Sequence, residues 1–152
     1  MTFRKKFITI FLLLFLSNCG FTPMYKNITN LNLNIEVNEL SGNRSIYNLI
    51  SSNLKNYSFS ESEKTVKINM NTAFEKIILA KDSTGKTTDY QIKITAIFDV
   101  QIENLRKEIT FTETFDYKSF AKNFEELQYE ETVKQNISNI ISQKLVNQLS
   151  RL

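Results

Sequence analysis

Residues Tyr90 to Ile102 alternate between apolar and polar side chains for thirteen residues, with Ile97 as the exception. Successive side chains of a strand point to opposite faces, so this period of two predicts a long strand with one apolar face. Shorter runs of the same kind cover residues 31–37, 66–74 and 109–117. The chain is therefore predicted to form four strands, each with one face turned toward a core.

Turn residues and helical periods separate these strands. Ser41-Gly42-Asn43 ends the first strand and can cap the segment 46–57, whose apolar residues recur every three or four positions. Asp82-Ser83-Thr84-Gly85 predicts a hairpin turn, and residues 104–107 predict a second turn. A bulge is expected near residues 77–79, where the alternation loses its phase.

The last segment, from Asn123 to about Ser150, has the 3.6-residue period of an amphipathic helix. Its predicted buried stripe is Phe124, Leu127, Val133, Ile137, Ile140, Ile141, Leu145 and Leu149. The element order is β-α-β-β-β-α. This order predicts an α+β fold, a two-layer sandwich in which two helices pack on one face of a four-stranded mixed sheet.

The first 18 residues have the composition of a secretory signal. Arg4, Lys5 and Lys6 precede an apolar run from Phe7 to Leu16, which is interrupted only by Thr9. This run is too short to span a bilayer, which requires about 20 apolar residues. Leu16-Ser17-Asn18-Cys19 resembles the bacterial lipobox, although Asn18 stands where Gly, Ala or Ser is usual.

The lipobox resemblance implies cleavage between Asn18 and Cys19 and acylation of Cys19. We therefore expect a signal peptide at 1–18, a lipid-anchored tether at 19–30 and a single domain at 31–152. Several acyl chains hold a protein stably on a membrane. In Gram-negative lipoproteins an Asp directly after the cysteine tends to retain the protein at the inner membrane. Gly20 stands at this position here, so the resemblance points to the outer membrane. The alternative interpretation is a buried free cysteine beside an ordinary signal.

Composition argues against several classes of function. Without the three basic residues of the signal, the 19 basic residues of the chain fall to 16, equal to the 16 acidic ones, so nucleic-acid binding is not expected. The chain has no histidine and one cysteine, which excludes Ser-His and Cys-His nucleophiles and histidine-based zinc sites. Glu125-Glu126 and Glu130-Glu131 are interpreted as a solvated acidic first turn. We expect no enzyme activity, no cofactor and no metal site.

Two surfaces are candidates for binding. Lys81 and Lys86 flank the predicted hairpin turn, with Lys76 and Lys93 further along the same hairpin, and these lysines could bind phosphate groups. The alternative is a solvated lysine-rich turn. The second candidate is the polar face of the sheet, which suits either water or the polar interior of a large β-barrel. Its residues are Asn32, Asn34, Lys67, Asn69, Asn71, Gln91, Lys93, Thr95, Thr110, Thr112 and Thr114.

The segment from Cys19 to Tyr25, CGFTPMY, resembles the Cys-Gly-Phe-x-Pro-Leu-Tyr start of the lipopolysaccharide-assembly lipoprotein (LptE) family of alphaproteobacteria. Met24 replaces the commoner leucine. The strand Tyr90 to Phe98 resembles the family's Tyr-x-Leu…Ala-x-Phe strand, and Phe115 to Leu149 resembles its aromatic strand end followed by a long helix.

The resemblance implies a non-enzymatic outer-membrane lipoprotein that binds lipopolysaccharide. It implies that the protein acts as plug and assembly partner of a large β-barrel translocon, LptD, with Cys19 as the lipid attachment site. We keep Lys81, Lys86 and Lys93 as candidates for binding lipopolysaccharide. The alternative function is a periplasm-facing lipoprotein adaptor or envelope factor unrelated to lipopolysaccharide.

Overall fold

The computed structural model describes residues 33–59, 62 and 64–152. The predicted signal peptide at 1–18, the cleavage site at Asn18 and Cys19, and the tether at 19–30 lie outside the described residues. Six elements follow in the predicted order: β1 (Leu33–Gly42), α1 (Arg44–Lys55), β2 (Lys64–Lys81), β3 (Thr87–Ile102), β4 (Leu105–Lys118) and α2 (Asn123–Leu149). The predicted fold class is confirmed.

The sheet has the strand order β1-β2-β3-β4 and is mixed. β1 and β2 are parallel, because α1 lies between them in sequence and returns the chain to the same end of the sheet. β2, β3 and β4 form an antiparallel meander joined by short turns. The register of β2 against β3 shifts between Ile78 and Ala80, which confirms the predicted bulge.

The core lies between one face of the sheet and the two helices. The alternating run of β3 supplies Ile92, Ile94, Ala96, Phe98 and Val100, all of them at most 1% exposed. The first helix buries Ile46, Ile50 and Leu54 at steps of four residues. Asn43 caps this helix as predicted, because its side-chain oxygen accepts a hydrogen bond from Ile46 N at 3.2 Å.

β2 and α2 are both longer than β1, which has 10 residues. β2 has 18 residues and is about 60 Å long at roughly 3.3 Å per residue. β1 pairs only with its first half and ends where Gly42 pairs with Thr72. Helix α2 has 27 residues and is about 40 Å long at 1.5 Å per residue, so it reaches past the end of β1.

Candidate functional site

The sheet is three strands wide beyond Gly42, and we call this part the distal arm (residues 73–81 of β2, 87–95 of β3 and 112–118 of β4). The backbone of Gly42 has a φ of +85°, and a Cβ there would lie 1.9 Å from the carbonyl oxygen of Thr72. Asn43 N donates to the same oxygen at 2.8 Å, so the chain leaves the sheet at this point. The first half of α2 lies along the arm, where Glu126 and Glu130 pair with Lys76.

An ion-pair network joins the arm to α2. The ammonium of Lys76 lies 2.8 Å from a carboxylate oxygen of Glu126 and 3.2 Å from one of Glu130. Glu130 also pairs with Lys134 at 2.8 Å. Glu126 further accepts a hydrogen bond from the backbone N–H of Phe120 at 3.2 Å. The interpretation of these glutamates as a solvated first turn is wrong for Glu126 and Glu130, whose side chains are only about a tenth exposed.

The pKa shifts in this network favour the charged forms. Burial opposes the charge of Glu130, but hydrogen bonds from Lys134 and Lys76 outweigh burial and hold the pKa of this carboxyl below its usual value. Burial likewise opposes the charge of Lys76, but hydrogen bonds to Glu126 and Glu130 raise its pKa. The surroundings of Lys76 and Glu130 therefore favour the charged form of each.

Aromatic side chains surround the network on the helix-facing side of the arm. The ammonium of Lys76 lies 4.2 Å from the centre of the Tyr90 ring, and Tyr90 stacks on Tyr117 with ring centres 5.5 Å apart. Tyr129 of α2 contacts Tyr117 at 5.5 Å and Phe120 at 5.1 Å. Burial raises the pKa of the Tyr117 hydroxyl. The arm is therefore held to α2 by aromatic contacts and ion pairs together.

The tip of the arm is the predicted hairpin turn, and the structure confirms it. The carboxylate of Asp82 accepts hydrogen bonds from Thr84 N at 2.8 Å, from the Thr84 hydroxyl at 2.6 Å and from Lys86 N at 3.0 Å. The hydrogen bonds from Thr84 hold the pKa of Asp82 below its usual value. Lys81 and Lys86 flank this turn, are exposed and form no ion pair with any described residue. They are brought together at the tip.

The other two lysines of the hairpin lie elsewhere. Lys93 lies on the open face of the sheet and pairs with Glu75 at 3.0 Å, about six residues or 20 Å along β3 from the turn. Lys76 lies on the opposite, helix-facing side. The structure therefore groups Lys81 with Lys86 and separates both from Lys93 and Lys76.

Exposed apolar side chains accumulate on the arm and on the helix end beside it. Phe124 is 68% exposed and Leu127 is 53% exposed, so the predicted buried stripe is wrong at these two positions. It is wrong also at Ile140, further along the helix, which is 42% exposed. The exposed large apolar residues of the arm and the start of α2 are Ile78, Leu79, Phe115, Phe124 and Leu127.

The open face of the sheet is polar as predicted where the structure describes it, and Asn32 lies outside the described residues. Thr95 and Thr112 share a hydrogen bond at 3.1 Å, Gln91 donates to Asp116 at 2.8 Å, and Arg106 donates to Asp99. A shallow open groove of about 490 Å³ crosses this face beside β1. Its lining residues are Glu39, Leu40, Ser41, Asn69, Met70, Asn71, Ile97 and Asp99. Half of these residues carry amide or carboxylate groups, and Leu40, Met70 and Ile97 add apolar surface to the groove.

Two solved structures share this architecture. Rare lipoprotein B from Shewanella oneidensis superposes with a TM-score of 0.59 at 11% identity, over 76% of this chain and 94% of that chain. A putative lipoprotein from Caulobacter crescentus superposes with a TM-score of 0.52 at 7% identity, over 79% and 88%. The fold is that of small bacterial lipoproteins. No family model and no curated protein matches the sequence.

Neither α1 nor α2 is long and apolar enough to cross a membrane, and these are the helices found in the described residues. The same residues contain no cluster of three or more acidic or cysteine side chains that could hold a metal ion.

Proposed function

We propose that this chain is an outer-membrane lipoprotein of the lipopolysaccharide-assembly machinery. Acylated Cys19 holds it on the periplasmic side, where it is the plug and assembly partner of the large β-barrel translocon LptD. The resemblance of residues 19–25 to the LptE start and the fold shared with bacterial lipoproteins support this proposal.

The observation that carries the proposal is the composition of the distal arm. Its tip has two exposed lysines, Lys81 and Lys86, and its strands have the exposed apolar residues Ile78, Leu79 and Phe115. Phe124 is exposed on the start of α2 beside the arm. A lipopolysaccharide molecule has phosphate groups next to acyl chains. Ammonium groups bind phosphates as point charges, and exposed apolar patches of this kind mark binding surfaces. The arm therefore matches both halves of an amphipathic anionic ligand.

The position of the arm agrees with the plug role. The chain enters the domain at Leu33, which pairs with Lys64 at the start of β2, while the tip follows Lys81 at the other end of this strand. The tip therefore lies at the end of the domain opposite the point where the tether joins it. The polar open face suits the polar interior of a barrel.

Depletion of the protein tests the function. In the bacterium that carries this chain, depletion should reduce lipopolysaccharide at the cell surface, measured by antibody labelling of intact cells. Restoration by the wild-type chain is the control. Normal surface levels after depletion would contradict the proposal and favour an adaptor unrelated to lipopolysaccharide.

A titration with lipopolysaccharide tests the tip. The double variant Lys81→Ser/Lys86→Ser should bind less tightly than the wild type. Lys55→Ser/Lys67→Ser removes the same charge from two other exposed lysines and is the matched control. Equal affinities for both double variants would show that the tip lysines do not bind lipopolysaccharide. The depletion experiment would still test the function as a whole.

A further inference from the structure

The end of the domain opposite the tip has a surface of its own, which we call the anchor end. Leu33 pairs with Lys64, Val66 pairs with Ile102, and Ile102 pairs with Leu105. The starts of β1, β2 and β4 therefore lie at the same end of the sheet. Residues 20–32 can span at most about 45 Å when fully extended. If Cys19 is acylated, as the proposed function requires, this end is tethered within that distance of the bilayer.

Three large apolar side chains are about half exposed at the anchor end: Phe59, Leu105 and Leu152. Phe59 is next to the point of entry, because its backbone N–H donates to the carbonyl oxygen of Leu33 at 3.0 Å. Leu105 begins β4 and pairs with Ile102. Apolar side chains exposed around a tether lie where a membrane surface can accept them.

A basic groove of about 430 Å³ opens beside Leu105 and Leu152, between the start of β4 and the end of α2. Its lining residues are Lys107, Phe111, Lys144, Asn147, Gln148, Arg151 and Leu152. Lys144 is paired with Glu113. Lys107 and Arg151 are exposed and form no ion pair within the part of the chain that the structure describes. The groove therefore has two cations available for an anionic ligand, above the apolar side chain of Phe111.

We propose that this groove docks the domain on the surface of the anchoring membrane. Lys107 and Arg151 bind the phosphates of anionic phospholipid headgroups, and Leu105 and Leu152 enter the interface beside them. Glu103 lies in the turn between β3 and β4, while the basic residues Lys107, Lys144 and Arg151 line the groove between β4 and α2. Docked in this way the protein is outside the barrel, and the tip of its distal arm points away from the bilayer.

Quenching of a fluorescent label on the protein by nitroxide-labelled lipid in vesicles tests the docking. The acylated protein has no free thiol, because Cys19 is the only cysteine of the chain. A cysteine introduced by Asn147→Cys can therefore be labelled alone in the groove, and Ser83→Cys gives a matched label at the tip. Both proteins are reconstituted in vesicles with 30% phosphatidylglycerol or with phosphatidylcholine alone, each containing nitroxide-labelled lipid.

The label at position 147 should be quenched in the phosphatidylglycerol vesicles and much less in phosphatidylcholine. Each basic contact with an anionic surface changes affinity by about fivefold, so Lys107→Ser/Arg151→Ser should reduce the docked population strongly. The label at position 83 should remain unquenched throughout. Added glycerol phosphate should not displace the groove label at millimolar concentration, because the proposed ligand is the membrane surface and not a soluble phosphate.

Failure of the docking and failure of the tether give different results. Acylated protein that is recovered with the vesicles, but whose groove label is not quenched or is quenched equally in both lipids and in the double variant, would overturn the docking alone. An unmodified Cys19 in the mass spectrum, with protein absent from the vesicles, would overturn the tether and the docking together.

Discussion

Lys76 of β2 and Glu130 of α2 form an ion pair across 54 residues of sequence, with their nitrogen and oxygen 3.2 Å apart. This pair joins the distal arm to the terminal helix at a place where β1 no longer supports the sheet. Glu130 shares its second oxygen with Lys134. The arm, which we propose as the binding element, is thus held in position by an ion pair whose carboxylate side chain is about a tenth exposed.

Removing the charge of Glu130 should destabilise the domain. Glu130→Gln leaves Lys76 and Lys134 with one partner fewer in a partly buried site, so we expect a loss of about 1–2 kcal/mol in the free energy of unfolding, measured by urea denaturation. Glu131→Gln removes the same charge from an exposed neighbour that also pairs with Lys134, and it should cost less than about 0.5 kcal/mol. Equal losses for the two variants would contradict the role of the network.

The contribution of Glu130 should depend on pH in one direction. Its folded pKa is lowered from a value of 4.5, so its contribution is fully present above pH 4.5 and is lost as the pH falls through the folded pKa. The pKa of Lys76 is raised, so this lysine stays charged through the acid range. The difference in unfolding free energy between wild type and Glu130→Gln should therefore shrink between pH 7 and pH 3. A difference that stays constant over this range would contradict the depressed pKa.

The two described glycines provide a matched pair of substitutions. Gly42→Ala would place a methyl group against the carbonyl oxygen of Thr72 at a φ of +85°, so it should cost at least about 3 kcal/mol and disturb the exit of β1. Gly85 has the same φ but open space around it. Gly85→Ala should therefore cost only the backbone strain, about 1 kcal/mol. Thermal unfolding of both variants measures the difference, and equal costs would show that the close approach at Gly42 is unimportant.

The exposed apolar residues at the start of α2 should matter for binding and not for stability. Phe124→Gln/Leu127→Gln should keep the free energy of unfolding within about 1 kcal/mol of the wild type, because both side chains are more than half exposed. The same variant should weaken lipopolysaccharide binding at least about fivefold if these side chains contact acyl chains. Leu145→Ala, at a fully buried position of the same helix, should cost about 2–5 kcal/mol. Unchanged lipopolysaccharide affinity of the double variant would exclude the start of α2 from the binding surface.

Local patterns predicted most of the fold. The alternation of β3 predicted which of its residues face the helices. Asn43 caps α1 and Asp82 stabilises the hairpin turn, both where the sequence indicated. These features depend on neighbours within a few residues, so a single sequence contains them. The length of β1 was predicted less well, since the strand runs through Ser41 to Gly42 before the chain turns away.

The polar network was missed because its partners are distant in sequence. Within the helix, adjacent glutamates face different directions and gave no reason to expect a shared partner. One signal was present. Lys76 continues the even-numbered series of Val66, Ile68, Met70, Thr72 and Phe74, which places a charge on the helix-facing side of β2. A charge at such a position needs a partner, and the acidic start of the last helix provides two carboxylates.

The buried stripe of α2 was predicted wrongly at Phe124, Leu127 and Ile140 because the buried side of the helix changes along its length. Residues near the start of α2 contact the arm, and the helix as a whole also packs against α1, β4 and β3. The small residues Ser138 and Ser142 are fully buried there, and apolar residues elsewhere on the helix remain exposed. A fixed 3.6-residue period cannot describe a stripe whose direction depends on tertiary neighbours.

The plug role is tested most directly by purifying the acylated protein from the outer membrane of its own bacterium. Mass spectrometry then identifies everything bound to it. We expect to recover a large β-barrel protein with it, and lipopolysaccharide in the same complex. Recovery of the lipoprotein without any barrel protein, under conditions that keep other outer-membrane complexes intact, would contradict the plug role.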